Sequence, residues 1–204
     1  MSDRYPQHEI ASRQQWHDWL AEHHADSPGV WLVTHKKHSG GPHVPRAEIV
    51  DEALAFGWVD SLPRTLDEHR SQLLVTPRKP ASRWSAVNKR KVQQLITERR
   101  MTPAGLAVVH AAQANGTWNA LDTVEALEEP PDLTLALDRE PAARRHWDAF
   151  PRSTRRAILE WITSARRTAT RDRRINETAR LAAENIRANQ WRQPRHASRP
   201  PTPR

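Results

Sequence analysis

The patterning of the chain changes at Pro80, and this change limits the fold more than any other feature. Before Pro80, segments with helical spacing alternate with short β-type runs. Ser12 to His24 places Trp16, Trp19 and Leu20 at helical spacing, with Ser12 as N-cap. Val30 to Thr34 reads as a strand. Arg46 to Phe56 reads as a second helix, stopped by Gly57. Trp58 to Ser61, Arg64 to Leu66 and Ser71 to Thr76 read as three short strands.

After Pro80 every strong pattern is helical. Ser85 to Arg99 forms one helix, and Thr102-Pro103 opens another that ends at Asn115-Gly116. Leu133 to Leu137, Pro141 to Phe150, Ser153 to Ala165 and Thr170 to Ala188 follow, with Ser153 and Thr170 as expected N-caps. The expected class is α+β: a small N-terminal antiparallel or mixed sheet with helices, followed by a helical C-terminal part. We expect an α/β part over 1–84, a helical part over 85–189 and a disordered basic tail over 190–204, the first two either docked as separate parts or forming one composite domain.

The tail bears on partners. Its last 15 residues hold Arg192, Arg195, Arg199 and Arg204, four prolines and no acid. They supply half of the formal net charge of +8. A second basic cluster, Arg166, Arg167, Arg171, Arg173 and Arg174, lies near the C-terminal end. With the tail it is the candidate nucleic-acid surface.

No apolar stretch approaches the ~20 residues of a membrane-spanning helix. MSDRYPQHEI has no basic n-region followed by an apolar h-region, so a cytoplasmic location is expected. The chain has no Cys, which removes disulfides, thiolate catalysis and Cys-based zinc sites. GxSxG, GxxxxGK[ST] and GxGxxG are all missing from the sequence. Eleven His residues show no metal-ligand spacing, although His35, His38 and His43 share one loop. No metal and no cofactor are expected.

Two stretches carry the candidate site. ALAFGWVDS, residues 53–61, is a run fit for burial that ends in Asp60 and Ser61. A buried carboxylate needs a partner. PRKPASRWSAVN, residues 77–88, joins a strand to a helix and packs three cations, two Ser, a Trp and an Asn into twelve residues. It is either a capped turn or a pocket wall in which Arg78 faces Asp60. Nine Trp against two Phe and one Tyr exceed what a core of this size requires, so some are expected to line a pocket.

VWLVTHKKHSG, EALAFGWVDS, PRKPASRWSAVNKRKVQQL, MTPAG, NGTW and ILEWITSARRTATRDRRI occur in order along the chain. In this arrangement the sequence resembles the YdeI/OmpD-associated family, also called bacteriocin-protection or OmdA-like, over roughly residues 12–185. A common form of the second motif has Cys before Phe-Gly-Trp. Ala55 stands there, so the position offers no thiol. The resemblance implies protection against bacteriocins or cationic antimicrobial peptides, and for one member an association with an outer-membrane porin. It brings no catalytic residue set.

The expected function is therefore resistance or stress protection by binding. Trp58, Asp60, Arg78, Trp84 and Asn88, with Trp31 and Trp118, would hold a small molecule or antimicrobial peptide. The alternative is nucleic-acid binding through the Arg cluster and tail. A third reading, an enzyme with Asp60 as general base and Arg78 as electrostatic stabiliser, lacks a second base.

Overall fold

The computed structural model describes residues 4–190, so nearly all of the basic tail expected over 190–204 lies outside the described residues. The fold is α+β. The chain divides into two compact units after Ala120.

In the first unit the elements are β1 (Gln7–Glu9), α1 (Arg13–His23), β2 (Val30–His35), α2 (Arg46–Ala55), β3 (Trp58–Thr65), β4 (Arg70–Pro77), α3 (Ala86–Thr97) and α4 (Pro103–Ala114). The four strands form one mixed sheet in the order β1-β2-β4-β3. β1 runs parallel to β2, with Gln7 opposite Trp31, and the other pairings are antiparallel.

β3 is continuous where the sequence suggests two strands. Its register against β4 shifts between Asp60 and Pro63, so Ser61 and Leu62 form an irregularity. Pro63 has no N–H for the ladder, and an edge strand tolerates that loss. The same irregularity breaks the period-2 pattern in the sequence. β1 carries only three residues and no apolar alternation, so nothing in its sequence announces it.

The core between sheet and helices joins Trp16 and Leu20 of α1 to Leu32, Ala53, Trp58 and Val75. Ser12 caps α1 by accepting from the Gln15 N–H at 3.2 Å. Trp16 and Trp19 stack at 5.3 Å, and Trp58 meets both edge-on.

Gly57 ends the run that begins at Ala53. Its φ of +77° is one that a side chain rarely adopts, and a Cβ there would lie 2.7 Å from Val108 Cγ2 on α4. α4 comes this close because Thr102 donates both its N–H (3.1 Å) and its hydroxyl (2.7 Å) to the Ala55 carbonyl. Gly105 then packs on that carbonyl, where an added Cβ would stand 2.1 Å from the oxygen. Helices α3 and α4 thus pack with the sheet unit, through a second core of Leu54, Trp84, Val92, Leu95, Val109 and Ala112.

The second unit holds α5 (Asp122–Ala126), α6 (Pro131–Asp138), α7 (Pro141–Ala149), α8 (Arg152–Thr163) and α9 (Thr168–Ala183) around Leu133, Leu137, Trp147, Ile158, Ile162 and Ile175. Two expected caps are corrected. α8 starts after Pro151, whose extended backbone (φ −53°, ψ 145°) precedes the first turn, so Ser153 lies inside the helix. α9 begins at Thr168 after Arg167, two residues before Thr170, and neither helix has a side-chain cap.

Candidate functional site

The antiparallel pairing of β3 with β4 sets Trp58 opposite Pro77. The next residue, Arg78, donates its N–H to the Gly57 carbonyl at 3.0 Å. The glycine that stops α2 thereby fixes where Arg78 leaves the sheet. The following turn closes with Ser82 N–H on Lys79 O. Its outer carbonyl, Pro80 O, receives Asn115 Nδ2 and Thr117 Oγ1 at 3.1 and 3.4 Å. Ser85 then caps α3, accepting from the Asn88 N–H at 3.3 Å.

Arg78 does not pair with Asp60. The Asp60 carboxylate is held by Arg46, the first residue of α2, whose Nη2 and Nε lie 2.5 and 3.2 Å from Oδ2. The Arg78 guanidinium instead lies over the Trp84 ring, 3.7 Å from its centroid. It donates Nη1 to the Arg83 carbonyl at 3.2 Å. Arg78 is 8% exposed and Trp84 1% exposed. Arg78 Nε and Trp84 Nε1 are both buried without a hydrogen-bond partner. Burial pushes the Arg78 pKa down to about 10, against the partly restoring charge of Asp60. The group still carries its charge at neutral pH.

These two side chains line a small cavity of about 60 Å³. Exposed Lys79, Pro80 and Ala111 form its outer part, and Val108 and Ala112 of α4 complete its wall. Trp118 backs Trp84, with ring centroids 4.9 Å apart.

The other expected residues lie elsewhere. Trp58 belongs to the sheet core and donates Nε1 to the His24 carbonyl at 3.1 Å. Trp31 is buried in β2 beneath the Arg64 guanidinium, 4.6 Å from its ring centroid. Asn88 is placed by its backbone in the first turn of α3. Arg78 and Trp84 are thus brought together with Trp118 behind them, while Trp58, Asp60, Trp31 and Asn88 do not line this cavity.

One charged centre escaped the sequence reading. Glu52, 4% exposed, accepts from Arg13 Nε (2.5 Å), Arg100 Nη2 (3.0 Å) and the His17 ring at Nδ1 (2.9 Å). Its only signal in sequence was a carboxylate inside the apolar helix EIVDEALAF. Among the described residues no group of three or more His, Asp or Glu is placed to hold a metal.

In the Arg cluster of the second unit, Arg171 makes a two-pronged pair with Asp132 at 2.8 and 2.9 Å. Arg174 is tied to the Trp161 carbonyl and the Ser164 hydroxyl and stacks on the Trp161 ring. Arg166, Arg167 and Arg173 are exposed. No helix among the described residues is long and apolar enough to cross a membrane.

The helical unit decides the relationship. Residues 126–185 match the family described as "Bacteriocin-protection, YdeI or OmpD-Associated". This segment is OmdA-like. Residues 8–108 match a different description, a domain of unknown function, DUF8412. The OmdA match is therefore narrower than the span of about 12–185 expected from the motifs. FGWVDS and PRKPASRWSAVN fall within the DUF8412 match, and ILEWITSARRTATRDRRI within the OmdA match. No curated protein and no solved structure matches the chain.

Proposed function

We propose that this OmdA-containing chain is a bacteriocin-protection-type protein that acts by binding, with the Arg78–Trp84 cavity of its first unit as the binding site for a small molecule or peptide. The OmdA match over residues 126–185 supports the protective role. The observation that carries the binding role is the cavity itself, lined by a stacked Arg and Trp that each keep a buried donor without a partner. An unpaired buried donor costs about 1–3 kcal/mol, so two on side chains that line one cavity favour an acceptor that reaches them through it. The cavity is far below the roughly 300 Å³ of a site that encloses a drug-sized ligand. It takes one group, and the rest of the ligand lies over exposed Lys79, Pro80 and Ala111.

Titration calorimetry and tryptophan quenching with a panel of antimicrobial compounds and peptides test this reading. Saturable binding that Arg78→Met and Trp84→Phe both abolish is expected. Binding by no member, or binding indifferent to both changes, overturns it. The nucleic-acid reading retains only Arg166, Arg167 and Arg173 as exposed cations of its cluster. Arg171 and Arg174 are engaged within the unit.

A further inference from the structure

Arg78 presents an unusual electrostatic situation. Its charge is removed from water, yet no carboxylate hydrogen-bonds to it. The acid whose charge it senses, Asp60, is engaged by Arg46. A neutral carbonyl, that of Arg83, takes one of its donors. A buried cation is costly unless paired, and the best partner for a guanidinium is a planar carboxylate, which matches its donors and cancels its charge. Trp84 supplies a second unpartnered donor, Nε1, on the ring that Arg78 covers.

Two donors from two adjacent side chains suit the two oxygens of one carboxylate. The cavity volume of about 60 Å³ admits a group of that size and little more. Lys79, exposed at the outer part, adds a second cation on the approach. Apolar Val108 and Ala112 complete the lining without any acid. A neutral amide or hydroxyl would satisfy one donor but leave the guanidinium charge uncompensated.

We infer that the Arg78–Trp84 cavity is a carboxylate-binding site, receiving the carboxylate of a small acid or of a peptide C-terminus between Arg78 Nε and Trp84 Nε1. The inference rests on the binding reading above and narrows it to one chemical class.

The test uses the full chain labelled with ¹⁵N. The Trp84 indole N–H signal is identified by its loss in Trp84→Phe, and the Trp58 indole signal reports the fold. Sodium formate, sodium phosphate and neutral formamide are titrated at constant ionic strength against sodium chloride. Saturable movement of the Trp84 indole signal with formate, at least ten-fold weaker in Arg78→Met and in Arg78→Gln, is expected. Movement with formate no greater than with chloride overturns the inference, and so does a phosphate response as strong as that to formate. Formamide separates the two levels. Response to formamide but not formate removes the carboxylate assignment and leaves the cavity as a binding site. Response to neither removes both. Triglycine binding without binding of its C-terminal amide supports a peptide end as the source. Formate binding without triglycine binding supports a small acid.

Discussion

The Arg78 guanidinium lies 3.7 Å from the centroid of the Trp84 ring, while the acid expected to pair with it, Asp60, is held 2.5 Å from Arg46. This exchange of partners leaves a desolvated cation facing an aromatic surface and a small cavity. The binding expectations follow from it.

A desolvated cation without a carboxylate is a stability cost. Replacing it by an apolar side chain of similar length removes the desolvation penalty, at the loss of one bond to the Arg83 carbonyl and one cation–π contact. Arg78→Met should therefore unfold in urea within about 1 kcal/mol of the parent while losing its response to formate. A loss of about 3 kcal/mol or more would mark Arg78 as structural instead.

The Asp60–Arg46 pair predicts a different outcome. Arg46 is largely exposed, at 59%, so the pair contributes little. Asp60→Asn should cost no more than about 1 kcal/mol by urea unfolding. Removing this negative charge near Arg78 should tighten formate binding slightly, by less than about three-fold. Loss of formate binding in Asp60→Asn would show that Asp60 serves the site directly.

The sequence made some of this legible. Ser12, Ser85 and Thr102 were readable as caps because their side chains bond to backbone N–H groups within the same turn, a purely local interaction. Gly57 was readable as a stop, and the Arg78–Trp84 segment stood out by composition. The partner of Asp60 was not legible. Arg46 lies fourteen residues earlier, and only the path of α2 and β3 brings the two together. Ser153 and Thr170 misled because a good capping residue looks the same one or two places inside a helix. Trp58 was expected in a pocket, yet its ring packs in the sheet core against Trp16 and Trp19 of α1, long-range contacts that its local sequence does not announce.

Gly105 sets how closely α4 approaches α2, and with it the wall of the cavity. A Cβ there would meet the Ala55 carbonyl at 2.1 Å, and backbone cannot yield cheaply. Gly105→Ala should lose about 2–3 kcal/mol by denaturant unfolding and weaken formate binding by displacing Val108 and Ala112. A variant as stable as the parent would show that α4 is free to shift.

Acid stability of the second unit should depend on Glu129. Its carboxylate accepts from Arg144 at 2.9 and 3.2 Å and from Trp147 Nε1 at 2.7 Å. Burial alone would raise its pKa, but these bonds and the Arg144 charge outweigh burial and hold it below the usual glutamate range. The folded state therefore binds the proton less readily than the unfolded state. The stabilisation is complete above the ordinary glutamate value, about 4.3, and is lost as pH falls through the lowered folded value. Glu129→Gln should unfold more easily at pH 7, by about 1–3 kcal/mol, and show a flatter acid profile when the Trp147 indole signal is followed. An unchanged acid profile would contradict this role.

The most direct measurement is a crystal structure of the full chain soaked in sodium formate. We predict one planar carboxylate in the cavity beside Arg78 and Trp84, its two oxygens within hydrogen-bond distance of Arg78 Nε and Trp84 Nε1. Formate absent from the cavity, with both donors satisfied by ordered water at saturating formate, would contradict the account.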